Sequence, residues 1–427
     1  MRIITFCHHP LLVDLIKRHT LSSFRPAFVL IATLLSLVFF PFSCALASSL
    51  DKFNRYDSAG LLYLDESGNI INEKRARDLF VPASTTKLVT AYLALNHWGE
   101  DHRFKTDFFL DESTANPALW IKGYGDPFLV SEELVIIART IAARLKERGL
   151  YKLGGLHLDT TYFARNIKLP GTARSNNPYD ARPSALAANF NTVFARRTNG
   201  TIASAEEQTP ITKTARSIYS NMQGRSERVN TGPDHRISER YFAELLTEFL
   251  RREGLEVGDG ISWGKVPSTL PLTYRHLNSR NLAGVIKPMM KFSTNFIANQ
   301  LILKLGAEHL GAPASSDKAT LTLKEQLSTG FGWKFFFLED GAGLSRANKL
   351  SPAQLVDVLE RFRPWKHLLP EIEPGIYAKS GSLIGISALA GYIKKKDEWR
   401  PFAAIINQKT PYRFRNKLAV ELGEQPG

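Results

Sequence analysis

Cysteine is nearly missing from this sequence. Of 427 residues only Cys7 and Cys44 are cysteines, both near the N-terminus. They can build neither a disulfide framework nor a four-cysteine zinc site. Several catalytic signatures are missing too. There is no G-x-S-x-G elbow, no Walker A loop and no H-E-x-x-H pair, and Gly123 and Gly125 do not complete a nucleotide loop. His97 and Glu100 form an H-x-x-E, but no further ligand set accompanies them. No metal or cofactor is implied. Acidic residues are in deficit, 41 against 55 Lys and Arg, for a net charge of +14. That excess points to an anionic partner: nucleic acid, a membrane surface or an acidic polymer. The remaining composition, 44% hydrophobic and 22% charged, is that of an ordinary globular chain with room for two or three domains. It excludes a disordered tail, a collagen-like repeat and a multi-span membrane protein.

Residues 27 to 43 read AFVLIATLLSLVFFPFS, with Arg25 before them and no charge until Asp51. Ala45, Leu46 and Ala47 then give A-x-A. A basic flank, an apolar run and a small-residue site are the three parts of a secretory signal, cleaved after Ala47. The run is also long enough to span a bilayer. An uncleaved anchor therefore competes, against Pro41 and the A-x-A, and leaves peripheral membrane association open. Lipidation at Cys44 is disfavoured by Pro41, Phe42 and Ser43. Without residues 1–47 the chain is cysteine-free and its net charge falls to +11. Export to the periplasm or an equivalent compartment disfavours nucleic acid. An anionic envelope polymer becomes the better partner.

Residues 59 to 72 read as a hairpin. After Pro82, Leu88, Tyr92 and Leu95 fall at i, i+4 and i+7, a helix that ends near Gly99. Near the C-terminus, ISALAGYI and FAAIIN flank the turn KKKDE, and a helix of about 413–422 follows. Strands at both ends predict one sheet built from both termini, with the middle of the chain inserted. Within that middle, Ser131 is expected to cap a helix over 132–148, followed by the strand GLHLDTTYF. A second helix of about 239–253 precedes the strand-like GISWG. The helix endings LKERGL and LRREGL resemble each other, as two related helix-turn-strand units would. Residues 164 to 236 read as polar, loop-rich and partly mobile.

Ser84-Thr85-Thr86-Lys87 carries chemistry. A serine needs a base to become a nucleophile. Ser84 and Lys87, three residues apart on a helix, share a face. Ser84 also opens the helix, where free amides can stabilise an oxyanion. Lys87 can serve as base only if burial or a neighbouring cation lowers its pKa. S-x-x-K recurs at Ser49, Ser262 and Ser315, but only the Ser84 copy opens an apolar helix after a hairpin. S-x-N occurs four times, at Ser67, Ser175, Ser279 and Ser293. Ser293-Thr294-Asn295 is the copy that opens an apolar run (Ile297, Leu301, Leu305). K-[ST]-G occurs once, at Lys379-Ser380-Gly381, just before a strand pattern. That order of three motifs belongs to β-lactamases and penicillin-binding proteins.

The resemblance then becomes specific. DGAGLSR at 340–346, AKSGSLIGISALAGYI at 378–393, GYGDPFL at 123–129 and LDTTYF at 158–163 are similar to segments of the class C, low-molecular-mass penicillin-binding proteins. These are serine-type D-Ala-D-Ala carboxypeptidases/endopeptidases. Lys87 and Ser293 are separated by 205 residues, a gap that matches the extra domain this family inserts there. The resemblance covers about residues 50–427. It implies an α+β, β-lactamase/transpeptidase-like catalytic domain, an antiparallel sheet flanked by helices, from 48–105 and 275–427, with 106–274 inserted. It implies a serine acyl-enzyme with Ser84 as nucleophile, Lys87 as base, Ser293 as proton relay and Asn295 on the substrate backbone. Lys379 and Ser380 would hold the terminal carboxylate beside Gly381, and the amides of Ser84 and Ser382 would form the oxyanion hole. The implied partners are peptidoglycan stem peptides, with β-lactams as covalent inhibitors. Asp159 is similar to a position thought to read the substrate's side chain, though a turn aspartate accounts for it equally well. Two departures stand out. Ser380 replaces the commoner threonine, and the stretch from Arg346 to Lys379 is short, without the usual Gly-Thr-Leu…Arg segment. The rival readings are a β-lactamase with fast deacylation and a cell-wall-binding relic.

Overall fold

The computed structural model describes residues 48–425. The leader, both cysteines and the A-x-A site lie outside them. Alternating apolar residues at the two ends of the chain build a six-stranded antiparallel sheet. Its order is Glu371–Glu373, Ile376–Leu383, Ile386–Lys395, Glu398–Ile406, Ala59–Leu64, Ile70–Lys74. The termini meet where Ala59 pairs with Ile406. Because strand side chains alternate, Leu61, Tyr63, Leu389, Phe402 and Ala404 pack on one face against Phe53 and the C-terminal helix Phe414–Glu424. Leu62, Ala388, Ala390, Tyr392, Ala403 and Ile405 face the main helical core.

Two helices occupy the middle of that core. Thr86–Trp98 is buried on every side from Thr86 to Leu95, and Asn295–Leu310 from Asn295 to Ala307. A helix apolar all round must be enclosed, and these two pack against each other. Their polar first turns then lie inside the protein, where every polar atom needs a partner.

The segment between them forms its own sheet, in the order Leu272–Asn281, Arg103–Asp111, Ala118–Gly123, Lys152–Asp159, Glu256–Trp263. It takes in residues a few positions beyond 106–274 on both sides. Its last two strand pairs are parallel. The last two strands, Lys152–Asp159 and Glu256–Trp263, are each fed by a helix, Ser131–Glu147 and His235–Arg252, the two units marked by LKERGL and LRREGL. Ser131 is not the cap: it is the first helical residue, and its N–H donates to Asn189 Oδ1 at 2.9 Å. The second helix starts earlier than its apolar pattern, capped by Asp234. Residues 164–236 are more ordered than their polarity implied. They hold the helix Lys213–Ser220 and a three-stranded sheet, Thr201–Ser204, Thr192–Thr198, Ser226–Asn230.

Candidate active site

Ser84 lies in a tight turn, Ala83–Thr85, that feeds the helix Thr86–Trp98. The turn is held by its own threonines. Thr85 Oγ1 donates to the Pro82 carbonyl at 2.7 Å and Thr86 Oγ1 to the Ala83 carbonyl at 2.9 Å. Ala83 takes φ +48°, a region costly for a residue with a Cβ. Among its neighbours Ser84 alone is half-exposed; Ala83, Thr85, Thr86 and Lys87 are buried.

Lys87 is fully buried, and its Nζ has three neighbours. They are Asn295 Oδ1 at 2.7 Å, the Ala342 carbonyl at 2.7 Å and Ser84 Oγ at 3.1 Å. Burial is the main cause that holds its pKa well below the usual lysine value, and the Lys379 charge adds to it. Asp340 opposes both. A neutral amine has two N–H donors and one lone pair. Two of the neighbours only accept and the third is a hydroxyl, so a neutral Lys87 is fully satisfied with its lone pair on the Ser84 proton.

The Ala342 carbonyl is placed by Asp340. That buried carboxylate accepts from the amides of Ala342 (2.9 Å), Gly343 (2.7 Å), Leu344 (3.0 Å) and Ser345 (3.0 Å), and from Asn348 Nδ2 (2.7 Å). Gly343 sits at φ +79°, and a Cβ there would lie 1.9 Å from the Ala83 carbonyl. The glycine therefore lets the DGAGLSR loop press against the serine turn. The contact to Lys87 is made by the backbone carbonyl of Ala342 and does not depend on the side chain there.

Ser293 ends the helix Leu282–Phe292 in a left-handed conformation, φ +56°. It makes no hydrogen bond to Ser84 or Lys87; the residue of this motif that bonds Lys87 is Asn295. The Asn295 amide also donates to the Tyr179 carbonyl at 3.1 Å, so the inserted segment reaches the site. Beside this junction lies a cavity of about 670 Å³ walled by Phe128, Tyr179, Phe190, Phe292 and Phe296.

Lys379-Ser380-Gly381-Ser382 lie within the strand Ile376–Leu383, not ahead of a strand. On its outer side the edge strand pairs only with Ile376 and Tyr377, which leaves the edge beyond them uncovered by any strand. A Cβ on Gly381 would meet the Pro82 carbonyl at 2.8 Å and the amides of Ser84 and Thr85 at 3.0 Å. Glycine is what lets the strand lie against the serine turn. Lys379 is buried, and burial, then Arg415, pulls its pKa down to about 7. Arg415, in the first turn of the C-terminal helix, donates through Nη1 to the Gly381 carbonyl and to Ser382 Oγ, both at 2.6 Å.

Asp159 stands apart. It ends the strand Lys152–Asp159, fully buried. It accepts from the Thr161 amide and hydroxyl and from the Val266 amide, with Lys122 Nζ at 3.9 Å. None of these partners belongs to the Ser84 cluster. The structure thus joins Ser84, Lys87 and Asn295 directly and sets Gly381 against them. It adds Asp340, Ala342, Tyr179 and Arg415, none of which the motifs named as site residues; only the DGAGLSR match pointed to the first two.

The sequence matches the profile of the D-Ala-D-Ala carboxypeptidase 3 (S13) family over residues 45–235 and 217–374. Those spans contain Ser84, Lys87, Ser293 and Asn295; Lys379–Ser382 lie just beyond. The D-alanyl-D-alanine carboxypeptidase of Actinomadura sp. (strain R39) is 25% identical over 445 residues, 86% of this chain and 82% of that protein. D-alanyl-D-alanine carboxypeptidase DacB of Haemophilus influenzae is 25% identical over 406 residues, 79% of this chain and 82% of that one. The crystal structure of penicillin binding protein 4 (dacB) from Haemophilus influenzae shares the fold. Its TM-score is 0.70 at 23% identity, over 88% of this chain and 100% of that one. With an α+β fold of this kind and a family match across most of its length, the chain belongs to the D-Ala-D-Ala carboxypeptidase 3 (S13) family.

Proposed function

We propose that this enzyme hydrolyses the peptide bond between two D-alanines of peptidoglycan stem peptides through an acyl-enzyme on Ser84. As Ser84 Oγ attacks the carbonyl, its proton passes to neutral Lys87. The amides of Ser84 and Ser382 receive the oxyanion, and a lost donor in such a hole costs about 2.7–4 kcal/mol. The proton moves by way of Ser293 to the departing amine, the C–N bond breaks, and D-alanine leaves. Asn295 aligns the substrate backbone, Lys379 and Ser380 bind the terminal carboxylate, and water then releases the acyl group. A β-lactam presents a similar amide and carboxylate and acylates the same serine.

The carrying observation is the environment of Lys87: fully buried, bonded to two carbonyl oxygens and 3.1 Å from Ser84 Oγ. A buried ammonium without a carboxylate partner is unstable, and its neutral form is a base. On this reading the catalytic domain is discontinuous, 48–105 and 275–427, with 106–274 inserted. The charged flank, apolar run and A-x-A of the leader support export to the periplasm or an equivalent compartment, where a chain left without cysteine by cleavage after Ala47 suits oxidising conditions. No helix among the described residues is long and apolar enough to cross a membrane.

The test incubates the protein with a pentapeptide ending in D-Ala-D-Ala, with a cross-linked stem dimer, and with fluorescent penicillin. Release of D-alanine and a lasting fluorescent adduct, both lost in Ser84→Ala, are expected. Rapid turnover of penicillin would indicate a β-lactamase, and an adduct without D-alanine release a relic. Cleavage of the dimer would extend the reaction to cross-bridges.

A further inference from the structure

We propose that Arg415 is a specificity-determining residue of this site: its guanidinium reads the carboxylate next to the scissile bond. The inference rests on the hydrolytic reading above and adds a residue to it. The charge of Arg415 is unpaired among the described residues. Only Nη1 of Arg415 is hydrogen-bonded, to the Gly381 carbonyl and Ser382 Oγ. No carboxylate among the described residues pairs with it, and burial alone lowers its pKa. A half-buried guanidinium with Nε and Nη2 unspent is costly in a free enzyme and is repaid by an anion that fits its fork.

Strand alternation puts Ser380 and Ser382 on one face, the face of Ala378 and the C-terminal helix that carries Arg415, while Lys379 and Gly381 face Lys87 and the serine turn. Two hydroxyls and a guanidinium therefore flank the open strand edge from one side, and the Lys379 ammonium from the other. Lys379 Nζ likewise bonds only a carbonyl, that of Ser380, at 2.7 Å. Two cations without acidic partners on either side of one strand edge specify a planar anion lying along it.

The test crosses enzyme with substrate charge. Wild type, Arg415→Ala, Arg415→Gln and Arg415→Lys are assayed on a peptide ending in D-Ala-D-Ala and on the same peptide with a C-terminal carboxamide. Losing a charge-assisted pair should lower kcat/KM on the free acid by about 10- to 100-fold, mainly through KM. On the carboxamide the loss should be far smaller than on the acid, and Arg415→Lys should recover part of the loss on the acid. Equal losses on both substrates would make Arg415 a structural strut and overturn the proposal, as would full activity of Arg415→Gln on the acid. If wild type cleaves neither peptide, the hydrolytic reading itself fails, and this inference with it.

Discussion

Lys379 should weaken the fold that it serves. It is 1% exposed and its pKa falls from 10.5 to about 7, chiefly through burial. In the unfolded chain the amine keeps its proton up to the ordinary lysine value. Between about pH 7 and that value the unfolded state therefore binds more protons, and stability must rise with pH across the window. A shift of that size corresponds to about 4 kcal/mol lost at pH 7, at roughly 1.4 kcal/mol per pKa unit. Lys379→Met keeps the bulk of the side chain and removes the charge. It should stabilise the protein at pH 7 by about 2–4 kcal/mol while slowing acylation by penicillin. Urea unfolding of both proteins at pH 7, 8 and 9 measures this. The gap should be largest at pH 7 and shrink as pH rises. A less stable Lys379→Met, or a gap independent of pH, would refute the claim that Lys379 is a charge buried without compensation.

For kcat/KM, deprotonation of Lys87, whose pKa burial and the Lys379 charge hold well below the usual lysine value, makes activity rise with pH, and loss of the Lys379 charge makes it fall above about 7. The profile should be a bell whose alkaline limb moves upward in Lys379→Arg. Asp340→Asn turns an acceptor of five hydrogen bonds into one with a donor facing donors. Stability in urea should fall by about 2–4 kcal/mol, and acylation should slow as the Ala342 carbonyl leaves Lys87. Gly381→Ala would force the strand off the serine turn, where its Cβ has 2.8–3.0 Å. Penicillin acylation rates should drop by about 100-fold, with the melting temperature changed far less.

What was legible in the sequence was whatever depends on short spacing. One helical turn carries Ser84 to Lys87, one loop carries Ser293 to Asn295, and one strand carries Lys379 to Ser382. The terminal sheet was legible through alternation, and the inserted segment through the length of the gap. The rest depends on folding at long range. The Ala342 carbonyl that holds Lys87 leaves no trace in residue identity, because any residue has one. Tyr179 reaches Asn295 with a backbone oxygen, from a segment whose polarity masked a small sheet and several turns. Arg415 meets Ser382 only because the C-terminal helix packs under the strand. Ser131 looked like a cap, yet its partner is Asn189, across the fold.

The central claim is that Lys87, its pKa pulled well below the usual lysine value by burial, activates Ser84. The most direct test is mass spectrometry of the protein after brief exposure to penicillin, with peptide mapping of the adduct, for wild type, Ser84→Ala and Lys87→Met. Ser84 should carry the penicilloyl group in wild type, Ser84→Ala should carry none, and Lys87→Met should label slower by several orders of magnitude. An adduct at another residue, or unchanged labelling of Lys87→Met, would contradict the account.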